Sequence, residues 1–417
     1  MPASYRPYAP EQSLLLPPSL RDWLPEGHLA HFIADVVGRL DLGAFHRRYE
    51  EGGPRNQPFD PGMMVRVMLY AYATGTFSSR RMARKLEEDV AYRVLAAGNQ
   101  PAHRTIAEFR QQNLEAFEAL FAQVVRIARE TGAQRLGTLA IDGTRLQANA
   151  SRHKAMSYGR MRSEEGRLRG EIAALTAKAA AADAAEDREH GVERRGDELP
   201  PELRRREQRL AAIAAAQARL EARQAEADRK QGRTPESGRK GKGRKGFARE
   251  FGVPPDQAQD NFTDPESRIM KTGEGFQQCY NAQAAVEQGS QWIVAAELSN
   301  GAADNAALLP VVQAAQAATG RKPKTVVADA GYRAEDNFAR LEERKIAAYV
   351  ALGREGKAAS PASSAPGPAT ARMASRMASA EGQAIYRRRK AIIEPVFGWV
   401  KHVLGFRRFS LRGQTKA

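Results

Sequence analysis

Apolar residues recur at three- and four-residue spacing from about residue 26 to residue 130, the pattern of helices with one buried stripe. Leu29, Phe32, Ile33, Val36, Val37 and Leu40 predict one such face. After a Gly/Pro/Asn loop (Gly52–Pro58), Asp60–Pro61 reads as an N-cap and first helical residue. A helix carrying Met63, Val65, Val67, Met68, Leu69 and Tyr72 follows. Ser78 or Ser79 opens another, with Arg80, Arg81, Arg84 and Lys85 in its first turns. A break at Gly98–His103 precedes a helix that begins His103–Arg104–Thr105. Helix, short turn and helix in this order is compatible with a helix-turn-helix, and Arg80, Arg81 and Arg104 are its candidate DNA contacts. A plain helical bundle with solvated arginines reads from the same residues.

Past residue 130 the period changes. LGTLAID (136–142) is a short apolar run ending in Asp142 and reads as a buried strand. Leu168, Ile172 and Leu175 form one helical seam, and Leu203, Leu210, Ile213 and Leu220 form a second, interrupted by GVERRGDELPPEL. These predict a helical hairpin inserted over about 160–230, whose apolar residues are its own core. FQQCYNAQAAVE and WIVAAELS, joined by QGSQ, predict a β-hairpin. ADNAALLPVVQAAQAATG is helical and ends at Gly320. KPKTVVADAGY is a strand closed by Asp329, with Gly331 for a tight turn. A helix (AEDNFARLEERK), a strand (IAAYVAL), an Ala/Ser/Pro-rich flexible loop (357–371) and a helical segment bearing Glu394 complete the pattern. The fold class is therefore α/β: an all-α N-terminal domain over 1–130, then a mixed-sheet domain over 131–417 interrupted by the hairpin.

Charge sharpens this picture. The 417 residues carry 65 Lys and Arg against 49 Asp and Glu, a net charge of +16, which points to a polyanionic partner. The stretch 229–249 holds nine basic residues and one acid among glycines, and reads as a flexible basic linker. The single cysteine, Cys279, excludes an intrachain disulfide and any cysteine-rich metal site, as suits a reducing cytoplasm. No signal peptide and no run of about 18 apolar residues predicts export or membrane insertion.

Glu394 is the one carboxylate from Tyr386 onward, among nine Lys and Arg. It reads either as a salt-bridge partner or as a metal ligand, since a bound cation lets a carboxylate lie beside phosphates. Asp142 and Asp329, each ending a strand, are its candidate partners. Strand-end aspartates are also plain caps and turn formers. Three such acids suit one or two hard cations, which support in-line phosphoryl displacement without a protein nucleophile. The sequence holds no HExxH, paired CxxC, Walker A or GxSxG motif that would indicate a rival chemistry.

The chain resembles bacterial insertion-sequence transposases of the Asp-Asp-Glu (DDE) superfamily, in the subgroup with a Tyr–Arg–Glu–Lys signature. LLLPPSLRDWLPEGHLAHFIADVV and FDPGMMVRVMLYAYATGTFSSRRMARKLEEDVAYRVLA resemble their helical N-terminal domain. TLAIDGTRLQANAS resembles the first-Asp segment, NFTDPESRIMK with YNAQAAVE the strands that follow, VVADAGY the second-Asp segment, and YRRRKAIIEPVFGWVK the Glu segment. The resemblance implies a ribonuclease-H-like domain in which Asp142, Asp329 and Glu394 are catalytic metal ligands, with two Mg²⁺ ions and Mn²⁺ able to substitute. It implies that Tyr386, Arg389 and Lys401 meet phosphates or DNA ends. Lys390 stands where the signature spacing expects the arginine, and Arg389 lies one position further from Glu394. Pro395 suits a first helical turn, so the sequence predicts a helix start or kink there.

The function so implied is metal-dependent cleavage of DNA at the ends of an insertion sequence, followed by strand transfer into target DNA. The implied partners are duplex DNA (terminal repeats and target) and a second copy in the active complex, at the nucleoid of a bacterial cytoplasm. Similar transposases continue past the FRRFSLRG-like stretch with another helix. A catalytically inactive, truncated copy acting only as a DNA-binding protein is the alternative, and a ribonuclease-H-like nuclease without strand transfer is a third reading.

Overall fold

The computed structural model describes residues 19–49, 57–132, 136–151, 154–190, 201–237, 249–353 and 367–416, without the side chains of 48, 178–190 and 201–203. The helices of the N-terminal region are α1 (Leu29–Gly38), α2 (Gly43–His46), α3 (Pro61–Ala73), α4 (Ser79–Glu88), α5 (Val90–Leu95), α6 (His103–Gln112) and α7 (Leu114–Glu130). Next come β1 (Thr138–Gln147), β2 (Ala155–Ser157), α8 (Tyr158–His190), α9 (Pro201–Lys230), β3 (Gln259–Asn261), β4 (Arg268–Thr272), β5 (Gly275–Glu287) and β6 (Ile293–Ser299). The chain continues through α10 (Leu308–Thr319), β7 (Thr325–Ala328), α11 (Glu335–Glu343), β8 (Ala347–Val350), α12 (Pro368–Ala378), α13 (Ala380–Arg387) and α14 (Arg389–Gly398), then a π-helical turn, Trp399–Val403. The result is a mixed α/β protein with a helical N-terminal region and a mixed sheet. Much of the basic linker (238–248) and of the Ala/Ser/Pro-rich stretch (354–366) lies outside the described residues. The helix α12 begins at Pro368, inside the span read as loop, because Pro at a first helical position is pre-set for the turn.

Packing divides the chain into two units. The first comprises Met1–Asp142, Gln283–Glu297 and Asp304–Arg407. Its helical region buries Ile33, Val37, Phe45, Met64, Met68, Met82, Leu86, Tyr92 and Ile106 in one cluster. As read from the sequence, Asp60 caps α3, its Oδ1 accepting from the Met63 N–H at 2.6 Å, with Pro61 next. The inward stripe of α1 is Ala30, Ile33 and Val37, with Leu40 buried just past its end, whereas Leu29 and Phe32, expected on it, are exposed. They lie one step round the helix, outside the stripe that faces the core.

In this unit β7 lies between β1 and β8, parallel to both. Buried parallel strands need apolar residues on both faces. Leu139, Ile141, Val326 and Ala328 pack on one side with Leu308, Val311, Phe338 and Met373 of α10, α11 and α12. Ala140 and Val327 pack on the other with Ile392 and Ile393 of α14. The segment after α14 reaches back to the N-terminal helices. A side chain at Gly75 (φ +73°) would meet the Leu404 carbonyl at 2.8 Å, and the Phe77 and Phe406 rings lie 4.9 Å apart.

The second unit comprises Gly143–Ala282, Leu298–Ala303 and Arg408–Ala417. In it α8 and α9 pack on each other and on the β2–β3 pair through Tyr158, Met161, Leu168, Ile213, Ala216 and Leu220. The strand β4 pairs antiparallel with the first half of β5. The three-residue β2 and β3 do not stand out in the sequence, whereas β4 falls in NFTDPESRIMK, which the resemblance placed among the strands.

Candidate active site

Asp142 and Asp329 are brought side by side by strand register. Ile141 pairs with Ala328 across the parallel β1–β7 ladder, so the next residue of each chain is an aspartate. Side chains alternate faces along a strand. Asp142 therefore shares the face of Ala140, and Asp329 that of Val327, which is the face covered by α14.

From that helix Arg389, almost fully buried, donates Nη1–H to Asp142 Oδ2 at 2.8 Å. Burial works against its charge, but Asp142, Tyr386 and Asp329 more than offset this and hold its pKa above the ordinary arginine value. The guanidinium lies 5.8 Å from the Tyr386 ring centre, and its buried Nε finds no hydrogen-bond partner among the described residues. Lys390, which the signature spacing favoured, is exposed. The inward stripe of α14 is Arg389, Ile392 and Ile393. Glu394 follows by five positions, a rotation of about 140° from Arg389 on a regular helix, and is exposed. Pro395 neither starts nor ends the helix. Its missing N–H frees the Ala391 carbonyl, which accepts instead from Gln291 Nε2 at 3.0 Å.

A buried polar chain, not foreseen from the sequence, borders the pair. Tyr332 donates its hydroxyl to Gln283 Oε1, and Gln283 Nε2 donates to Asp304 Oδ1 at 2.8 Å. Burial pushes the Tyr332 hydroxyl pKa far up, reinforced by Asp304, Asp142 and Asp329 and opposed by Arg389. Any side chain at Gly331 would press on the two carboxylates. A Cβ would sit 2.9 Å from Asp329 Oδ1 and 3.0 Å from Asp304 Oδ2. Asp329 Oδ1 also accepts from Gly331 N at 2.8 Å, closing the tight turn. The only signal for Asp304 was its place just before a helix, in ADNAALLP.

The Asp142–Asp329 pair offers the hard oxygen donors that Mg²⁺ takes. Glu394 does not join it: among the described residues no group of three or more His, Cys, Asp or Glu side chains could hold a metal ion. The arrangement thus sets two of the three expected carboxylates on adjacent strands, with Arg389 against one of them. Tyr386 and Lys401 are partly buried. Arg80, Arg81 and Arg104 are exposed on α4 and α6, while Arg110, unflagged by the sequence, ties α6 to α4 through the Phe77 carbonyl and Ser79 Oγ. No helix among the described residues is long and apolar enough to cross a membrane.

Two family models match the chain. Residues 228–417 match one described as a transposase DDE domain, and residues 18–112 match a transposase domain, DUF772. The first match contains Asp329 and Glu394, and Asp142 and most of α8 and α9 lie between the two. No curated protein and no solved structure matches. The sequence placed both aspartates at strand ends, but β1 runs on to Gln147, so Asp142 lies inside it and only Asp329 follows the end of its strand. Two transposase domains in their expected order show that the chain belongs to the insertion-sequence transposases of the DDE superfamily.

Proposed function

We propose that this transposase cuts DNA at the ends of its insertion sequence and joins the freed 3′-hydroxyls to target DNA. By this reading its catalytic domain is ribonuclease-H-like, with the α8–α9 hairpin inserted into it. The observation that carries the reading is the register of β1 and β7, which sets Asp142 beside Asp329 under the helix bearing Arg389 and Glu394. In cleavage a water oxygen bonds to phosphorus, the P–O3′ bond breaks, and the 3′-oxygen leaves with a proton. In joining, that 3′-hydroxyl oxygen bonds to a target phosphorus and the target's own 3′-oxygen departs. Divalent ions, Mg²⁺ with Mn²⁺ able to substitute, would supply phosphate charge stabilisation and an acidified water when bound.

Asp142 and Asp329 are the first two donors in this proposal, and Glu394, on its resemblance to the Glu segment, the third. Arg389 balances the two aspartates where it now sits. Tyr386, Lys390 and Lys401, with Arg80, Arg81 and Arg104, are proposed to meet DNA phosphates. Because two ends must be brought together, the active complex is proposed to be a homodimer on duplex DNA.

The test is nicking of DNA carrying the element ends with Mg²⁺ or Mn²⁺, comparing wild type with Asp142→Ala, Asp329→Ala and Glu394→Ala. Cutting at the ends by wild type is expected, with a loss of at least about a thousand-fold in each variant while end binding survives. End binding by wild type with no cutting by either metal would leave a DNA-binding protein without catalysis. Cutting without joining of a supplied 3′-hydroxyl end would leave a nuclease.

A further inference from the structure

The helices α8 and α9 take up 33 and 30 residues, and nothing in the chemistry above uses them. Some of their arginines are committed to structure. Asp260 of β3, with no exposed side-chain surface, accepts from Arg219 and Arg223 at 2.6 Å each and so pins α9 to the β2–β3 pair. Arg233 is likewise buried against Asp228.

The opposite holds along one side of the helix pair. Two hollows open there and share Arg209. One, about 310 Å³, is lined by Lys154, Arg160 and Arg209 over an apolar floor that includes Met156, Ile213 and Phe262, and no carboxylate among the described residues lines it. The other, about 360 Å³, is lined by Arg167, Arg205, Arg206 and Arg209 with Leu168 and Glu171. Glu171 takes Arg206 at 2.8 Å and also Arg167, while Glu164 takes Arg167 at 2.7 Å and Arg209 at 3.1 Å. Two carboxylates thus serve three arginines. Lys154, Arg160 and Arg205 are exposed, and none is within ion-pair distance of a carboxylate among the described residues, although Glu164 also feels the charge of Arg160.

Such a row of unbalanced cations costs self-repulsion and adds nothing to the core beneath it. It matches a ligand that is itself a row of negative charges. Arg205 and Arg209 stand one helical turn apart, about 6 Å along the axis, a spacing on the scale of successive backbone phosphates. A single small anion would need only one hollow, and the cations run through both.

We propose that this face of the α8–α9 pair is a DNA-backbone site, formed by Lys154, Arg160, Arg205 and Arg209, that holds duplex DNA without reading its sequence. The proposal rests on the reading of the chain as an enzyme acting on DNA. Neutralising a phosphate contact lowers the slope of log affinity against log salt by about 0.9.

The test uses the full chain and a random-sequence duplex lacking the element ends, with affinity measured by anisotropy between 50 and 300 mM NaCl, roughly the window over which phosphate contacts dominate. The variant is Lys154→Gln/Arg160→Gln/Arg205→Gln. Its control is Lys322→Gln/Arg340→Gln/Lys345→Gln, which removes the same charge from exposed positions elsewhere. The expected result is a slope smaller than wild type by about 2 to 3 in the hairpin variant and little change in the control. Melting curves verify that both variants are folded. Wild-type slope and affinity in the hairpin variant, or equal losses in both variants, would overturn the proposal and leave the transposase reading standing. Absence of duplex binding by wild type itself at low salt would remove both.

Discussion

Arg389 shows how one position on a helix decides what a site contains. It shares the inward stripe of α14 with Ile393, so it reaches Asp142, while Glu394, one residue beyond Ile393, faces out. Replacing Arg389 by Met keeps the volume and removes the charge, leaving two carboxylates on adjacent strands without their cation. Breaking such a largely buried pair costs about 3 kcal/mol, read as a lower midpoint in urea unfolding. A divalent ion that binds the same two carboxylates should then restore part of the loss. Millimolar Mg²⁺ is expected to raise the stability of Arg389→Met more than that of wild type, and not that of Arg389→Met/Asp329→Ala. Equal Mg²⁺ responses in all three proteins would show that the aspartates do not share a cation. Asp142 and Asp329 could be found in the sequence because each closes a short apolar run. Their buried neighbours could not. Gln283, Asp304 and Tyr332 meet across separations of 21 and 49 residues, and only the sheet brings them together.

At the scale of elements, local signals succeeded where the partner group was also local. Asp60–Pro61 announced α3 because the cap and the capped N–H are three residues apart. Pro395 does not start a helix as the sequence allowed, because the group that takes up the freed carbonyl, Gln291, is 100 residues away. The start of α12 is another long-range case. Glu335 at the head of α11 accepts from the N–H groups of Ala369 and Thr370 at 2.7 and 2.9 Å and from the Thr370 hydroxyl. The Thr370 hydrogen bond, with the two backbone N–H groups, holds its carboxyl below the usual glutamate range, against a smaller opposing effect of burial. A depressed carboxylate stabilises the fold above its unfolded pKa and loses that contribution as pH falls through its folded one. The gap in melting temperature between wild type and Glu335→Gln is therefore expected to be full at pH 7 and to close below about pH 4. A gap that stays constant from pH 7 to pH 3 would mean the charge is not what holds the cap.

The whole molecule carries a charge of +16, and its described ion pairs do little to relieve it. Many are exposed pairs within one helix, such as Arg84–Glu88, Lys230–Glu226 and Arg340–Asp336, which water and salt screen to little net worth. Long-range repulsion among the unbalanced cations works against the compact state at low ionic strength. Salt shortens the reach of that repulsion from about 30 Å at 0.01 M to a few ångströms near 1 M. Screening should remove more repulsion than attraction, so the melting temperature is expected to rise by several degrees as NaCl goes from about 0.02 to 0.5 M, concentrations chosen to span that range. A polyanion that binds only the folded chain should do the same by mass action. Random duplex DNA is accordingly expected to stabilise the protein at low salt and to lose that effect at high salt, where its phosphate contacts are screened. Calorimetry or fluorescence melts would read both trends. A melting temperature that falls as salt is added would show that the ion pairs outweigh the net charge, and stabilisation by DNA that persists at high salt would point to contacts other than phosphate.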